Sequence, residues 1–299
     1  MKELIIKSRY ILIGFFLIFL LWLIPQILIK PDPLIDQFNT TNAMSYIETQ
    51  LSFGPRYPGS PGHQKEINWI QDQLTLMGWQ IEEQSFHYQQ TKITNLLAKY
   101  IKKGKLILIG AHFDTRFFAD QDPNNDNHNA PVPGANDGAS GVAVLMELAR
   151  VLVKDNNNSY WFLFFDAEDQ GNIQNWDWII GSSYFAQSLT TKPDTVLIID
   201  MIGDQDLKIY KEGFSDKKLQ DEIWQSASNL GFSDSFQPII KYQIIDDQKP
   251  FADQGIPSAL LIDFEYPYWH TIADTIDKIS PTSLQIVGST ILEWIKSNN

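Results

Sequence analysis

Residues 160–169 read YWFLFFDAED: six apolar residues in unbroken succession, then three carboxylates within four positions. A run with no alternation is expected of a strand buried on both faces, as in a parallel sheet covered by helices. Leu106 to Ala111, Thr195 to Ile199 and Ser258 to Ile262 have the same character. Gln80 to Phe86 and Ile93 to Ile101 are two further strand-like runs, and Lys102-Lys103-Gly104 is a turn after them. Helical periodicity covers Ala43 to Leu51, Gly62 to Met77, Ser140 to Val153, Ser182 to Ser188, Asp216 to Leu230 and Ser283 to Lys296. Gly78 is expected to end the second helix, and Ser215 to cap the helix from Asp216. Strands that alternate with helices predict an α/β single domain with a mostly parallel, mixed central sheet flanked by helices. In such sheets sites form outside the C-terminal ends of the strands.

Composition narrows the function classes. The chain has 299 residues, 43% hydrophobic and 20% charged, with material for one sizeable core. A net charge of −13 with no basic cluster in the folded part argues against nucleic acid as a partner. The absence of cysteine excludes disulfides, thiolate metal sites and a cysteine nucleophile.

The N-terminus carries its own signal. Tyr10 to Ile29 is an apolar run long enough to cross a bilayer as a helix, preceded by Lys2, Lys7 and Arg9. The positive-inside rule then keeps residues 1–9 in the cytoplasm and exports the rest, to the periplasm or the extracellular side. No small-residue cleavage site follows, which favours a single-pass membrane anchor over a signal peptide. Residues 30–42, polar and containing proline, read as a linker to a catalytic domain over 43–299.

The polar residues of interest sit at the strand ends. Leu106 to Ala111 runs into His112-Phe113-Asp114, Tyr160 to Phe165 into Asp166-Ala167-Glu168-Asp169, and Thr195 to Ile199 into Asp200. Ser258 to Ile262 leads within a short loop to Trp269-His270, and Gly134-Ala-Asn-Asp137-Gly-Ala-Ser-Gly141 is a glycine-rich turn opening a helix. Taken singly, Asp137 reads more readily as a helix cap than as a ligand, Glu168-Asp169 reads equally as a solvated pair, and His270 reads also as a core-edge histidine. Together they are costly unless paired or bound to a cation, and imidazole with carboxylate is a plausible zinc set.

The series His112-x-Asp114, Gly134-Ala-Asn-Asp137-Gly-Ala-Ser-Gly, Phe165-Asp-Ala-Glu168-Asp169, Ile199-Asp200-Met-Ile-Gly and His270-Thr-x-x-Asp274-Thr resembles the co-catalytic zinc aminopeptidase superfamily. Three features resemble its glutaminyl-peptide cyclotransferases (glutaminyl cyclases), especially the bacterial ones. They are Trp269 directly before the last histidine, Ile245-Asp246-Asp247 before Pro250-Phe251, and Asn175-Trp176-Asp-Trp178 after the acidic pair. The resemblance implies zinc ligands Asp137, Asp169 and His270, with Glu168 as general acid/base and Asp200 and Asp246 as acids around it. Trp269, with Trp176 or Trp178, would wall the substrate pocket. His112 and Asp200 match the residues that hold a second zinc in dinuclear aminopeptidases. One zinc per chain is expected of a cyclase that converts N-terminal glutamine of peptides or proteins to pyroglutamate, and two of an aminopeptidase. A catalytically silent ectodomain is the third possibility.

Overall fold

The computed structural model describes residues 37–152 and 157–298. The expected membrane segment, residues 10–29, and most of the expected linker lie outside them. Among the described residues no helix is long and apolar enough to cross a membrane.

The first helix, α1, spans Thr40–Ser52. It starts three residues before the expected Ala43, inside the stretch read as linker, because the Asn39 side chain accepts from the backbone N–H groups of Thr41 and Asn42. α2 (Pro61–Leu76) is capped by Ser60, with proline in its first turn, and Gly78 follows its end at φ +89° as expected. β1 (Gln80–Tyr88) and β2 (Thr91–Tyr100) form an antiparallel hairpin. Then come β3 (Leu106–His112), α3 (Ala139–Leu152), β4 (Ser159–Phe165), α4 (Ile180–Gln187) and β5 (Thr195–Asp200). β6 (Ile209–Glu212), α5 (Lys217–Asn229), β7 (Phe236–Tyr242), α6 (Lys249–Ala252), β8 (Ser258–Ile262) and α7 (Pro281–Ser297) complete the order.

The main sheet runs β1-β2-β4-β3-β5-β8. Its β4, β3, β5 and β8 pair in parallel, while β1–β2 and β2–β4 are antiparallel, so the sheet is mixed as expected. The parallel strands are buried almost throughout. Leu163, Phe165, Ile198 and Leu260 face Phe185 of α4 and Phe251 of α6 on one side. α3 covers the other side, with α1 and α7 packed against it.

One expectation is corrected, and one element was not anticipated. The cap of α5 is Asp216, whose carboxylate accepts from Leu219 N–H at 2.8 Å, and not Ser215. The Ser215 hydroxyl is engaged instead with Glu212, also at 2.8 Å. The small parallel sheet β6–β7 was not foreseen, since Phe236–Tyr242 contains Pro238 and exposes most of its side chains, so no apolar alternation marks it.

Where α3 crosses the sheet, a Cβ on Gly141 would stand 2.8 Å from both the Ala111 Cβ and the Ile199 carbonyl oxygen. Only glycine allows that approach, which sets the first turn of α3 over the ends of β3 and β5. Gly141→Ala is expected to destabilise by about 1–3 kcal/mol through overpacking, read as a melting temperature lower by several degrees. An unchanged melting temperature would mean that the helix has slack above the sheet.

Candidate metal centre and its cavity

Five segments converge at the C-terminal ends of the parallel strands. β3 ends in His112, β4 leads to Glu168 and Asp169, β5 ends in Asp200, the loop after β8 carries His270, and the turn before α3 carries Asp137. Ala167, Met201 and His270 are non-glycine residues with positive φ, at 56°, 45° and 55°. Each is a strained conformation costing on the order of 1 kcal/mol or more, and each adjoins or is one of these residues.

Asp137 is the shared member. Its Oδ1 lies 3.3 Å from His112 Nε2 and its Oδ2 lies 3.6 Å from His270 Nε2. His270 Nε2 also meets Asp169 Oδ1 at 2.8 Å, and His112 Nε2 meets Asp200 Oδ1 at 3.0 Å. Two buried sets of donor atoms result, Asp137–Asp169–His270 and His112–Asp137–Asp200, each with its atoms within 4.8 Å of one another. They differ in how far protein contacts satisfy them. Both ring nitrogens of His112 have partners, Nδ1 at the Asp114 carbonyl (3.1 Å) and Nε2 at Asp200. In the other set Asp137 Oδ2 and Asp169 Oδ2 are buried without a hydrogen-bond partner. Buried polar atoms are rarely left so without a further ligand. Tetrahedral zinc, with N and O ligands near 2.0–2.1 Å, separates its donors by about 3.3 Å. The spacing and the imidazole–carboxylate chemistry of Asp137, Asp169 and His270 therefore fit zinc.

Backbone and charge are arranged around this set. The Asp114 carboxylate accepts from the N–H groups of Glu168 (3.0 Å) and Asp169 (3.3 Å) and from the Gln170 side chain (2.9 Å). Asp274 does the same for the glycine-rich turn, accepting from Asn136 N–H (2.8 Å), Asp137 N–H (3.1 Å) and the Tyr266 hydroxyl (2.7 Å). Arg56, fully buried, donates to the carbonyls of Pro133 and Gly134 and pairs with Glu66 at 3.0 Å. Burial first, then the neighbouring charges of Asp169, Asp246 and Asp247, push the Glu168 carboxyl well above its ordinary range, with His112 opposing. Burial with Asp200 and Asp247 does the same to Asp246. Asp169 is pushed up to about 6 by burial and by Asp137.

The centre opens into a cavity of about 350 Å³ lined by Asp137, Glu168, Asp169, Asp200 and Asp246 among polar residues, with Trp178, Trp269, Ile244, Ile245 and Phe264 as apolar walls. The two indoles flank the metal-site histidine: Trp269 stacks on His270 at 3.7 Å between centroids, and Trp178 lies parallel to it at 6.1 Å. Trp176, expected as an alternative wall, is not there. It is buried with Ile93, Ala167 and Ile180, against Tyr88 and Phe117, on the other side of its loop.

Comparisons with known proteins place the chain in a family. The family model described as Peptidase family M28 matches residues 95–295. The chain belongs to peptidase family M28. Among family relatives it is similar to the glutaminyl-peptide cyclotransferase of Boiga dendrophila, 26% identical, the match covering 80% of this chain and 77% of that one. The structure of Porphyromonas gingivalis glutaminyl cyclase superposes with a TM-score of 0.84 at 29% identity, covering 88% of this chain and 99% of that chain. A Zn-dependent exopeptidase from Parabacteroides distasonis superposes with a TM-score of 0.82 at 28% identity, covering 86% and 98%. Family and neighbours thus point to an enzyme and to zinc.

Several residues of this M28 site escaped the sequence reading. Asp114 and Asp274 stood in the quoted motifs without a role, which only their backbone contacts reveal. Arg116 and Asp120 gave one weak signal, a lone cation four residues after His112 in an acidic chain.

Burial alone would raise the Asp114 carboxyl, but hydrogen bonding and charge from His112 hold it below its ordinary value. A depressed carboxylate contributes stability above its unfolded pKa and loses it as pH falls through the folded value. Asp114→Asn keeps the shape but turns an N–H group toward donors. In metal-free protein it is expected to cost about 1–3 kcal/mol at neutral pH, the gap from wild type narrowing in strong acid. Equal melting temperatures at neutral pH would contradict the positioning role.

Proposed function

We propose that this M28 chain is a glutaminyl-peptide cyclotransferase, with one zinc held by Asp137, Asp169 and His270. The observation that carries the reading is the cavity: Glu168 and Asp246, two acids with raised pKa, share about 350 Å³ with the aromatic walls Trp178 and Trp269. Its similarity to solved bacterial glutaminyl cyclases supports it.

In the proposed reaction the α-amine of an N-terminal glutamine attacks its own γ-carbonyl carbon. A carbon–nitrogen bond forms, and Glu168 takes the proton that the amine gives up. Glu168 then delivers that proton to the amide nitrogen, whose bond to carbon breaks, and ammonia leaves. A raised pKa suits a group that both accepts and returns a proton near neutrality. Bound zinc would supply Lewis-acid polarisation of the γ-carbonyl and stabilise the developing oxyanion charge. Burial with the neighbouring carboxyls of Asp169, Asp246 and Asp247 lets Glu168 readily accept a proton, while Asp200 holds His112. Trp178 and Trp269 hold the folded-back side chain and keep out water, which would divert cyclisation to hydrolysis.

The proposal takes N-terminal segments of peptides or proteins as substrates. It also takes residues 10–29 as the membrane anchor, with residues 1–9 cytoplasmic and the catalytic domain outside. The second reading is a zinc aminopeptidase, favoured by the set His112–Asp137–Asp200, which offers a second metal position.

The test is to incubate zinc-loaded protein with a glutamine-initiated and a leucine-initiated peptide. Loss of ammonia from the first, with its chain intact, is expected; release of leucine from the second would favour the aminopeptidase. Glu168→Gln is expected to lower turnover by about 10²–10⁴-fold with zinc content unchanged. Zinc loss as large as in Asp169→Asn would exchange the roles of the two acids.

A further inference from the structure

His270 offers Nε2 to the metal set, so a neutral ring carries its proton on Nδ1. That nitrogen is buried and has no hydrogen-bond partner. A buried N–H without an acceptor is costly, and metal-bound histidines generally donate their other nitrogen to a carboxylate or carbonyl. Asp120 Oδ1 lies 3.7 Å from His270 Nδ1, beyond a hydrogen bond but within reach of a small ring rotation.

Asp120 is held for such a contact. Arg116 grips it with two nitrogens, Nε to Oδ1 at 2.6 Å and Nη2 to Oδ2 at 2.8 Å. The same guanidinium donates from Nη1 to the Asp169 carbonyl at 2.8 Å and from Nη2 to the Gly171 carbonyl at 3.2 Å. Its face lies 4.9 Å from the Trp178 ring centroid. One buried cation therefore ties together Asp120, the backbone of a metal-set residue and an aromatic wall. The neighbouring backbone is fixed to the histidine as well. Gln121 N–H donates to the His270 carbonyl at 3.2 Å, and Asp122 Oδ2 accepts from Ile272 N–H at 3.1 Å. These contacts bracket His270, whose backbone sits at φ +55°.

We propose that Asp120, clamped by Arg116, is the positioning residue that accepts the Nδ1 proton of His270 and aims Nε2 at the metal shared with Asp137 and Asp169. It touches neither substrate nor metal and acts through the histidine. The inference rests on the reading of His270 as a metal ligand.

The test titrates metal-free full-length protein with Zn²⁺ against a chelator, and with Co²⁺ as a spectroscopic probe. Asp120→Ala is expected to weaken zinc binding about 10–100-fold and to alter the Co²⁺ absorption, measured at a temperature where the metal-free variant, which loses the partner of buried Arg116, is still folded. Asp120→Asn, whose amide oxygen still accepts from Nδ1–H, is expected to recover most of the affinity. Should the alanine variant fail to fold, the Nδ1–H proton resonance of zinc-loaded wild type and Asp120→Asn decides. A shift between them supports the contact, and an identical resonance overturns it. Wild-type zinc affinity and Co²⁺ spectrum in Asp120→Ala would also overturn it. Failure of the wild type to bind zinc, or unchanged binding in Asp137→Asn, would instead remove the metal reading itself.

Discussion

The structure depends on how carboxylates are kept at the ends of strands buried on both faces. Asp137, Asp169 and Asp200 lie where water is nearly excluded, at 2%, 2% and 7% exposure. Ionised groups there are costly unless something positive answers them. Two histidines contact them, and Asp137 stands between both. Of these three acids, Asp137 and Asp169 each have one buried oxygen without a hydrogen-bond partner, and both face the His270 side. A divalent cation there would offset the excess of charge, while on the other side His112 and Asp200 are joined by their own hydrogen bond.

The surrounding acids serve geometry. Asp114 fixes the backbone of Glu168 and Asp169, Asp274 fixes that of Asn136 and Asp137, and Asp166 holds His63 (2.8 Å) and Thr94 N–H (2.7 Å). Arg56 fastens the glycine-rich turn from below. The loops that carry the candidate metal set are thus pinned by hydrogen bonds between charged side chains and backbone. Such bonds are stronger than neutral ones and suit positions that tolerate little displacement.

What was legible in the sequence was whatever carried a period or an interruption. The unbroken run Tyr160 to Phe165 declared a strand buried on both faces, and the acids after it declared the site edge. Glycine after a helical stretch marked a helix end at Gly78. Choices between neighbours were less legible. Ser215 and Asp216 are both good caps, and only the engagement of the Ser215 hydroxyl by Glu212 decides between them. Trp176 and Trp178 are alike in composition, but residues two apart in an irregular loop need not share a face. The β6–β7 pair left no trace because its exposed strand needs no apolar pattern. Arg116 stayed hidden because, besides the nearby Asp120, its partners are backbone carbonyls of Asp169 and Gly171, far away in sequence.

The central proposal is that a single metal on the His270 side would answer the buried negative charge at this strand edge. Anomalous scattering at the zinc edge, from crystals of the zinc-loaded protein, measures this directly. The account predicts one peak, bounded by Asp137, Asp169 and His270, with His112 still bonded to Asp200. Two peaks of comparable height, the second among His112, Asp137 and Asp200, would contradict it.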